Sequence, residues 1–187
     1  MIKTKTSLTD GSILKGLFIF SLPMIVVNIL QMLFHMMDTT ILGILSGDAE
    51  VAAVGACGSI ISMLTCFVMG YSSASNVIIS RKIGAKDVQG ARRASGTAVV
   101  MGLLSGVLLM VIVLISSKQL LVITNCQPEI LDMANLYMQI YFVGLPITML
   151  YNFVASILRA SGDSVSPMVY MIISGVINVG LNILFIT

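Results

Sequence analysis

Residues 22–44 read LPMIVVNILQMLFHMMDTTILGI, and this stretch decides the fold. It is apolar for longer than the roughly 20 residues a bilayer crossing needs, yet it carries Asn28, Gln31, His35 and Asp38. Those positions step by three, four and three, so at about 100° per residue they share one stripe of a helix. A lone carboxylate among lipid tails costs about 2.5–3.5 kcal/mol on insertion scales, so it is expected to face a bundle interior or a wet cavity. Asp38 is therefore the first candidate for a coupling group that exchanges a proton for another cation. The competing reading places Asp38 near the outer end of its helix, where it simply reaches interfacial water.

The whole chain is built in the same way. Of 187 residues, 57% are hydrophobic and only 10% charged, against about a quarter charged in a soluble domain. The mean hydropathy is +1.04. Net charge is only +2 and Trp is absent, and no basic cluster is interleaved with aromatics, so nucleic-acid binding has no support. The three cysteines, Cys57, Cys66 and Cys126, show no metal-binding or redox spacing. No nucleophile–base pair or carboxylate pair appears, and a non-enzyme is expected. The first apolar stretch is too long for a cleavable leader and should remain as a membrane helix.

Five charge-free segments qualify as spans: 16–37, 51–80, 94–117, 133–158 and 164–187. The helices around them are expected at about 13–44, 51–80, 92–117, 130–158 and 165–187. The second is longer than a crossing needs, and residues 52–58 are expected to form a short interfacial portion. Nine of the ten Lys and Arg residues fall on one side if the spans alternate; Lys118 is the exception. The positive-inside rule then makes the amino terminus cytoplasmic and brings the carboxyl end to the outer face. The fifth span ends with the chain, so a truncated product or a fragment of a longer protein is expected.

Breakers fall between the spans: Gly84-Ala85-Lys86-Asp87, Asn125-Cys126-Gln127-Pro128, and Ser161-Gly162-Asp163 with Pro167. Pro23 and Pro146 lie inside spans, where a missing backbone donor usually kinks a helix. Gly102 and Gly106 form a GxxxG pair suited to close helix approach.

Three further polar stripes accompany the first. They are Tyr137, Tyr141, Gly144, Thr148 and Asn152 in the fourth span, Ser174, Asn178 and Asn182 in the fifth, and Ser59, Ser62, Ser73 and Asn76 in the second. Polar groups in lipid need partners, so these stripes should turn toward one another. A polar chamber with one acid is one outcome; interhelical hydrogen-bond glue is the other. In the chamber, low dielectric favours the neutral acid and a bound cation favours the carboxylate. Proton and cation then displace each other reciprocally. His35 is read as a packing or hydrogen-bonding residue, the 14 Met as lipid-facing or core filler, and the cations at 81–93 as topology determinants.

Taken together, LTDGSILKGLFIFSLPMIVVNILQ, MMDTTILG, VAAVGACGSI, SRKIGAKD, YFVGLPITMLYNFVASILRASGDS and INVGLNILFI resemble the multidrug and toxic compound extrusion (MATE) family, from about Leu8 to the last residue. The resemblance implies a transporter of the MOP flippase superfamily with twelve helices in two six-helix bundles, exporting organic cations against protons or sodium. Asp38 matches the cation-coupling acid of the family's first helix and is the place for a coupling proton or sodium. Pro23 and Gln31 match positions on that same helix near the amino-terminal cavity. Tyr137 and Asn152 match polar positions of the fourth helix, and Asn178 with Asn182 those of the fifth. Many relatives carry an aspartate where Asn182 stands, so a two-carboxylate proton site is incomplete here. The sixth helix and second bundle are missing, so these residues should not transport alone.

The expected molecule is thus an all-α integral membrane protein, the incomplete amino-terminal bundle of a MATE-like transporter with five transmembrane helices. It would sit in a bacterial-type plasma membrane, needing no cofactor beyond its coupling ion. Its partners would be the bilayer, an organic cation and a carboxyl-terminal bundle. The alternatives are a lipid-linked precursor flippase of the same superfamily and a non-transporting membrane fragment. The first would call for basic residues inside the cavity, and none of the five spans has one.

Overall fold

The structure, a computed structural model, describes residues 13–45 and 47–186; some side chains, including those of Asp38 and Asn182, fall outside the description. Six helices and no strand occur among the described residues. They are α1 (Ile13–Leu45), α2 (Asp48–Gly84), α3 (Val88–Ile123), α4 (Leu131–Val143), α5 (Leu145–Ala160) and α6 (Val165–Ile186). Among the described residues α1, α2 and α3 are long and apolar enough to cross a membrane, and α4 with α5 forms a fourth such span bent by 44°. The apolar stretch Val165–Leu181 of α6 is shorter.

Three of the helix ends close in the same way. Lys86, Asn125 and Gly162 sit at φ 57°, 56° and 84°. Each donates its N–H to the carbonyl three residues back, and the next residue donates five back: Asp87 to Lys82, Cys126 to Leu121 and Asp163 to Leu158, all at 3.0 Å. This Schellman closure satisfies carbonyls a helix end would otherwise leave unpaired. At the first of these turns Asp87 also caps α3, accepting from the Gly90 N–H at 2.8 Å. That bond and the Lys82 ammonium hold its carboxyl below the ordinary range.

The described chain forms two compact units, and α5 contributes to both. The larger contains α2, α3, α4 and α5 as far as Ile157. Its buried faces are lined with small residues: Ala53, Cys57 and Ser72 on α2, and Ala98, Gly102, Gly106 and Ser117 on α3. Lipid is as apolar as a leucine side chain, so helices in a bilayer gain by close backbone approach and by shared hydrogen bonds. Both are present. A Cβ on Gly102 would meet the Phe153 ring at 2.9 Å, and one on Gly106 would meet the Pro146 Cα at 2.7 Å. The Ser156 hydroxyl donates to the Ser72 carbonyl at 2.9 Å, and the Asn76 amide donates to the Ser156 carbonyl at 3.1 Å. Ser117 donates to Asn135 at 2.7 Å, joining α3 to α4.

Residues 52–58 belong to the continuous α2, with Ala53 1% and Cys57 0% exposed, and the Cys57 thiol donates to Ala134 O at 3.3 Å. Two expectations are corrected. The fourth segment is two helices rather than one, broken at Gly144. Pro146 has no N–H to give the Phe142 carbonyl, and its ring crowds that turn, so the break falls just ahead of it. Finally, Ser59, Ser62 and Ser73 are exposed; of that stripe only Asn76 turns inward, and the inward hydroxyl of α2 is Ser72.

The smaller unit pairs α1 with α6. A Cβ on Gly175 would clash with the Phe34 ring, so this glycine is the seat for that aromatic.

The Gly106 contact is with backbone, which no rotamer change relieves. Gly106→Ala is therefore expected to lower stability by about 1–3 kcal/mol. Gly70→Ala, facing open space within α2, should be neutral or stabilising by up to about 1 kcal/mol. Denaturant unfolding of the two variants in the same detergent checks the contrast.

Candidate functional site

A recess of about 140 Å³ opens where α4 gives way to α5. Leu64, Thr65 and Val68 of α2 form one wall; Tyr141 and Phe142 of α4 with Leu145, Thr148 and Asn152 of α5 form the other. The break at Gly144 is stitched from within. Gly144 N donates to Tyr141 O at 3.2 Å, and Gly144 O accepts from Ile147 N, Thr148 N and the Thr148 hydroxyl at 3.2, 3.1 and 3.2 Å. One turn on, the Asn152 amide donates to Thr148 O at 2.8 Å, which leaves its own carbonyl oxygen as an acceptor. The recess therefore offers hydroxyls, an amide oxygen and an aromatic ring, and no charge. Those groups suit a cation that carries apolar surface, since ring faces and neutral acceptors both attract positive charge. At 140 Å³ it is smaller than the roughly 300–1,000 Å³ of a drug-sized site, so it holds part of such a ligand.

The sequence-predicted residues divide between the units. In the larger, Asn152 lines the recess, while Tyr137 lies one turn before it, its ring 6.2 Å from that of Tyr141. Across the bend Tyr141, Thr148 and Asn152 still come together, whereas Tyr137, one turn earlier on α4, does not line the recess. Thr65 completes the recess and was missed, although it follows Ser62 by three residues and Ser59 by six, a spacing that could have found it. In the smaller unit, Pro23 and Gln31 are half-buried on α1, and Asn28 and His35 are exposed. Gln31 precedes Phe34 by one turn, and Asn178, exposed on α6, follows Gly175 by one turn. Asp38 lies within α1 and Asn182 within α6, with their side chains outside the described residues.

What positions Asn178 is the start of α6. Asp163 accepts from the Ser166 hydroxyl at 2.6 Å and from the N–H groups of Ser166 and Val165 at 2.9 and 3.1 Å. These bonds, led by the hydroxyl, hold its carboxyl below the ordinary value of 3.8.

Known proteins of the same shape and sequence pattern exist. A family model described as MatE matches residues 23–184. The probable multidrug resistance protein YpnP of Bacillus subtilis (strain 168) is 32% identical over 181 residues, covering 96% of this chain and 40% of that protein. Multidrug export protein MepA of Staphylococcus aureus (strain NCTC 8325 / PS 47) is 26% identical over 172 residues, covering 92% of this chain and 37% of that one. A solved MOP superfamily transporter from Pyrococcus furiosus, described as having a binding pocket of reverse polarity that suggests a different function, superposes with a TM-score of 0.89. Its identity is 25%, over 100% of this chain and 41% of its own. A crystal structure of MATE in the bent conformation gives the same values. The chain thus spans about 40% of the length of these relatives.

Asp163→Ala removes the cap of α6 and is expected to lower stability by about 1 kcal/mol at neutral pH. Because the folded carboxyl is held below its unfolded value, the stabilisation is complete above that value and disappears as pH falls through the folded one. Unfolding curves of the parent and variant taken at falling pH should therefore converge in acid.

Proposed function

The chain belongs to the MatE family of multi-pass, all-helical membrane transporters, and from that premise we propose that it supplies the amino-terminal part of a cation-coupled exporter of organic cations. The family match over residues 23–184, with Asp38 the only acid on α1 inside that range, is the observation that carries the reading. Relatives named as multidrug resistance and multidrug export proteins support the cargo class. The recess at Gly144, uncharged and aromatic-edged, supports it from the chemistry.

In this reading Asp38 is the group whose charge changes. Away from water it favours the neutral, protonated form, and an arriving cation favours the carboxylate. Gln31 on α1 with Asn178 and Asn182 on α6 supply neutral oxygens, Pro23 shapes α1, and Tyr137 on α4 and Asn152 on α5 supply further polar groups for the substrate. Binding of an organic cation displaces the proton or sodium, and return of the coupling ion displaces the organic cation; linkage makes each weaken the other's binding by the same factor. No acid lies on α6, so Asp38 carries this role without a second carboxylate on those two helices. Alternating access requires one bundle to move against another, so a carboxyl-terminal bundle is the necessary partner. The Lys and Arg distribution supports a plasma-membrane topology with a cytoplasmic amino terminus.

In the complete protein, Asp38→Asn should reduce export of a lipophilic cationic dye to background at unchanged expression. Dye export retained at the parental rate would refute the reading. Vesicles energised by a pH gradient in one arm and a sodium gradient in the other identify the coupling ion, since only one should drive dye accumulation.

A further inference from the structure

The turn between α2 and α3 carries charge that export does not use. Arg81, Lys82, Lys86, Arg92 and Arg93 stand there against one acid, Asp87. Asp87 is already committed: one carboxylate oxygen lies 3.1 Å from the Lys82 ammonium and the other accepts from Gly90 N. Arg81, Lys86, Arg92 and Arg93 are exposed and form no ion pair among the described residues.

Their depth is fixed by the helices. Only Ala85, Lys86 and Asp87 separate α2 from α3, so the turn cannot reach far from the bilayer. The charge-free parts of the two helices end at Ser80 and begin at Ala94. At 1.5 Å per residue, the six residues from Val88 to Arg93 span about 9 Å, close to the roughly 5–8 Å depth of one headgroup layer. With the start of the α3 charge-free run taken as the hydrocarbon edge, Arg92 and Arg93 stand there and Lys86 about one headgroup layer further out, bracketing the level of lipid phosphates. Ile83 and Val88, 41% and 76% exposed, give the same tip an apolar footing.

We propose that this turn is a docking surface for anionic phospholipid headgroups, with Arg81, Lys86, Arg92 and Arg93 gathered around lipid phosphate. Arginine's planar fork matches phosphate oxygens two at a time, and juxtamembrane cations attract anionic lipid. The inference rests on α2 and α3 crossing the membrane and not on export.

The chain has no Trp, so Val88→Trp places a single fluorophore on the surface. With the V88W chain in phosphatidylcholine nanodiscs, quenching by a minor fraction of brominated phosphatidylglycerol is compared with quenching by brominated phosphatidylcholine. At low salt the anionic lipid is expected to be enriched about fivefold or more around the reporter. Near 1 M salt, where the Debye length is about 3 Å, the enrichment should vanish. The combined change R81Q/K86Q/R92Q/R93Q should abolish it at low salt, and the salt arm stands on its own if that variant inserts poorly. Equal quenching by the two lipids at low salt overturns the proposal, as does enrichment that survives high salt. Loss of the preference on adding millimolar inorganic phosphate at constant ionic strength would show a site for free phosphate and overturn the lipid assignment. Both faces of a nanodisc carry the same lipid and no transport is read, so failure here is distinct from failure of the export reading.

Discussion

A polar group inside a bilayer has no water to turn to, and the bend between α4 and α5 is where this chain meets that constraint most sharply. Breaking a helix at membrane depth frees backbone groups whose loss of hydrogen bonding costs several kcal/mol each. Pro146 leaves the Phe142 carbonyl without its usual helical donor; around the break Gly144 donates its N–H to Tyr141 O, and its carbonyl accepts from Ile147, Thr148 and the Thr148 hydroxyl. Among the described residues no buried side-chain nitrogen or oxygen lacks a partner. The recess beside the break is lined by Thr65, Tyr141 and Asn152 among others.

The packing around the bend follows from the same solvent. Gly106 lets the Pro146 backbone come close, Gly102 receives Phe153, and one turn further along α5 Ser156 is tied to Ser72 and Asn76 of α2. These contacts form one seam along α5, joining small-residue notches on α3 to hydrogen bonds from α2. Bulk at Gly106 would displace Pro146, which stands beside the break and therefore beside the recess.

Long charge-free runs made the helical segments legible, because a bilayer demands length and tolerates little charge. The turns at Lys86, Asn125 and Gly162 were legible from Gly, Asn and Pro around them. Which face of each helix packs was much less so. In a water-soluble helix burial and apolarity coincide, whereas here the exposed Met63 and Phe67 are as apolar as the buried Ile60 and Val68. Neither polarity nor size tells Ser72 from Ser73, and only the packing of α2 against α5 shows that Ser72 is the buried one. Pro146 announced a distortion, but whether a proline bends a helix or breaks it depends on what α3 offers opposite, and Gly106 is far away in sequence. The grouping of Tyr141, Thr148 and Asn152 was readable from their spacing; that Tyr137 falls outside the recess was not, since its extent depends on Leu64, Thr65 and Val68 of α2, distant in sequence. Gln31 and Asn178 were placed on their helices by periodicity, and their neighbourhood depends on Phe34 seated at Gly175, a contact no short-range pattern encodes.

Charge is sparse. Asp163 caps α6 and Asp87 caps α3, and exposed cations without an ion pair among the described residues gather at the α2–α3 turn. Asp38, on the polar stripe of the first helix, is the acid to which we assign a change of charge as the central proposal. The most direct test is to titrate the complete purified protein with a lipophilic organic cation in weakly buffered detergent, following pH with an indicator dye and free sodium with a selective electrode. Exchange at a single acid predicts that about one proton, or one sodium, leaves for each organic cation bound. Saturable binding that releases neither ion would contradict it.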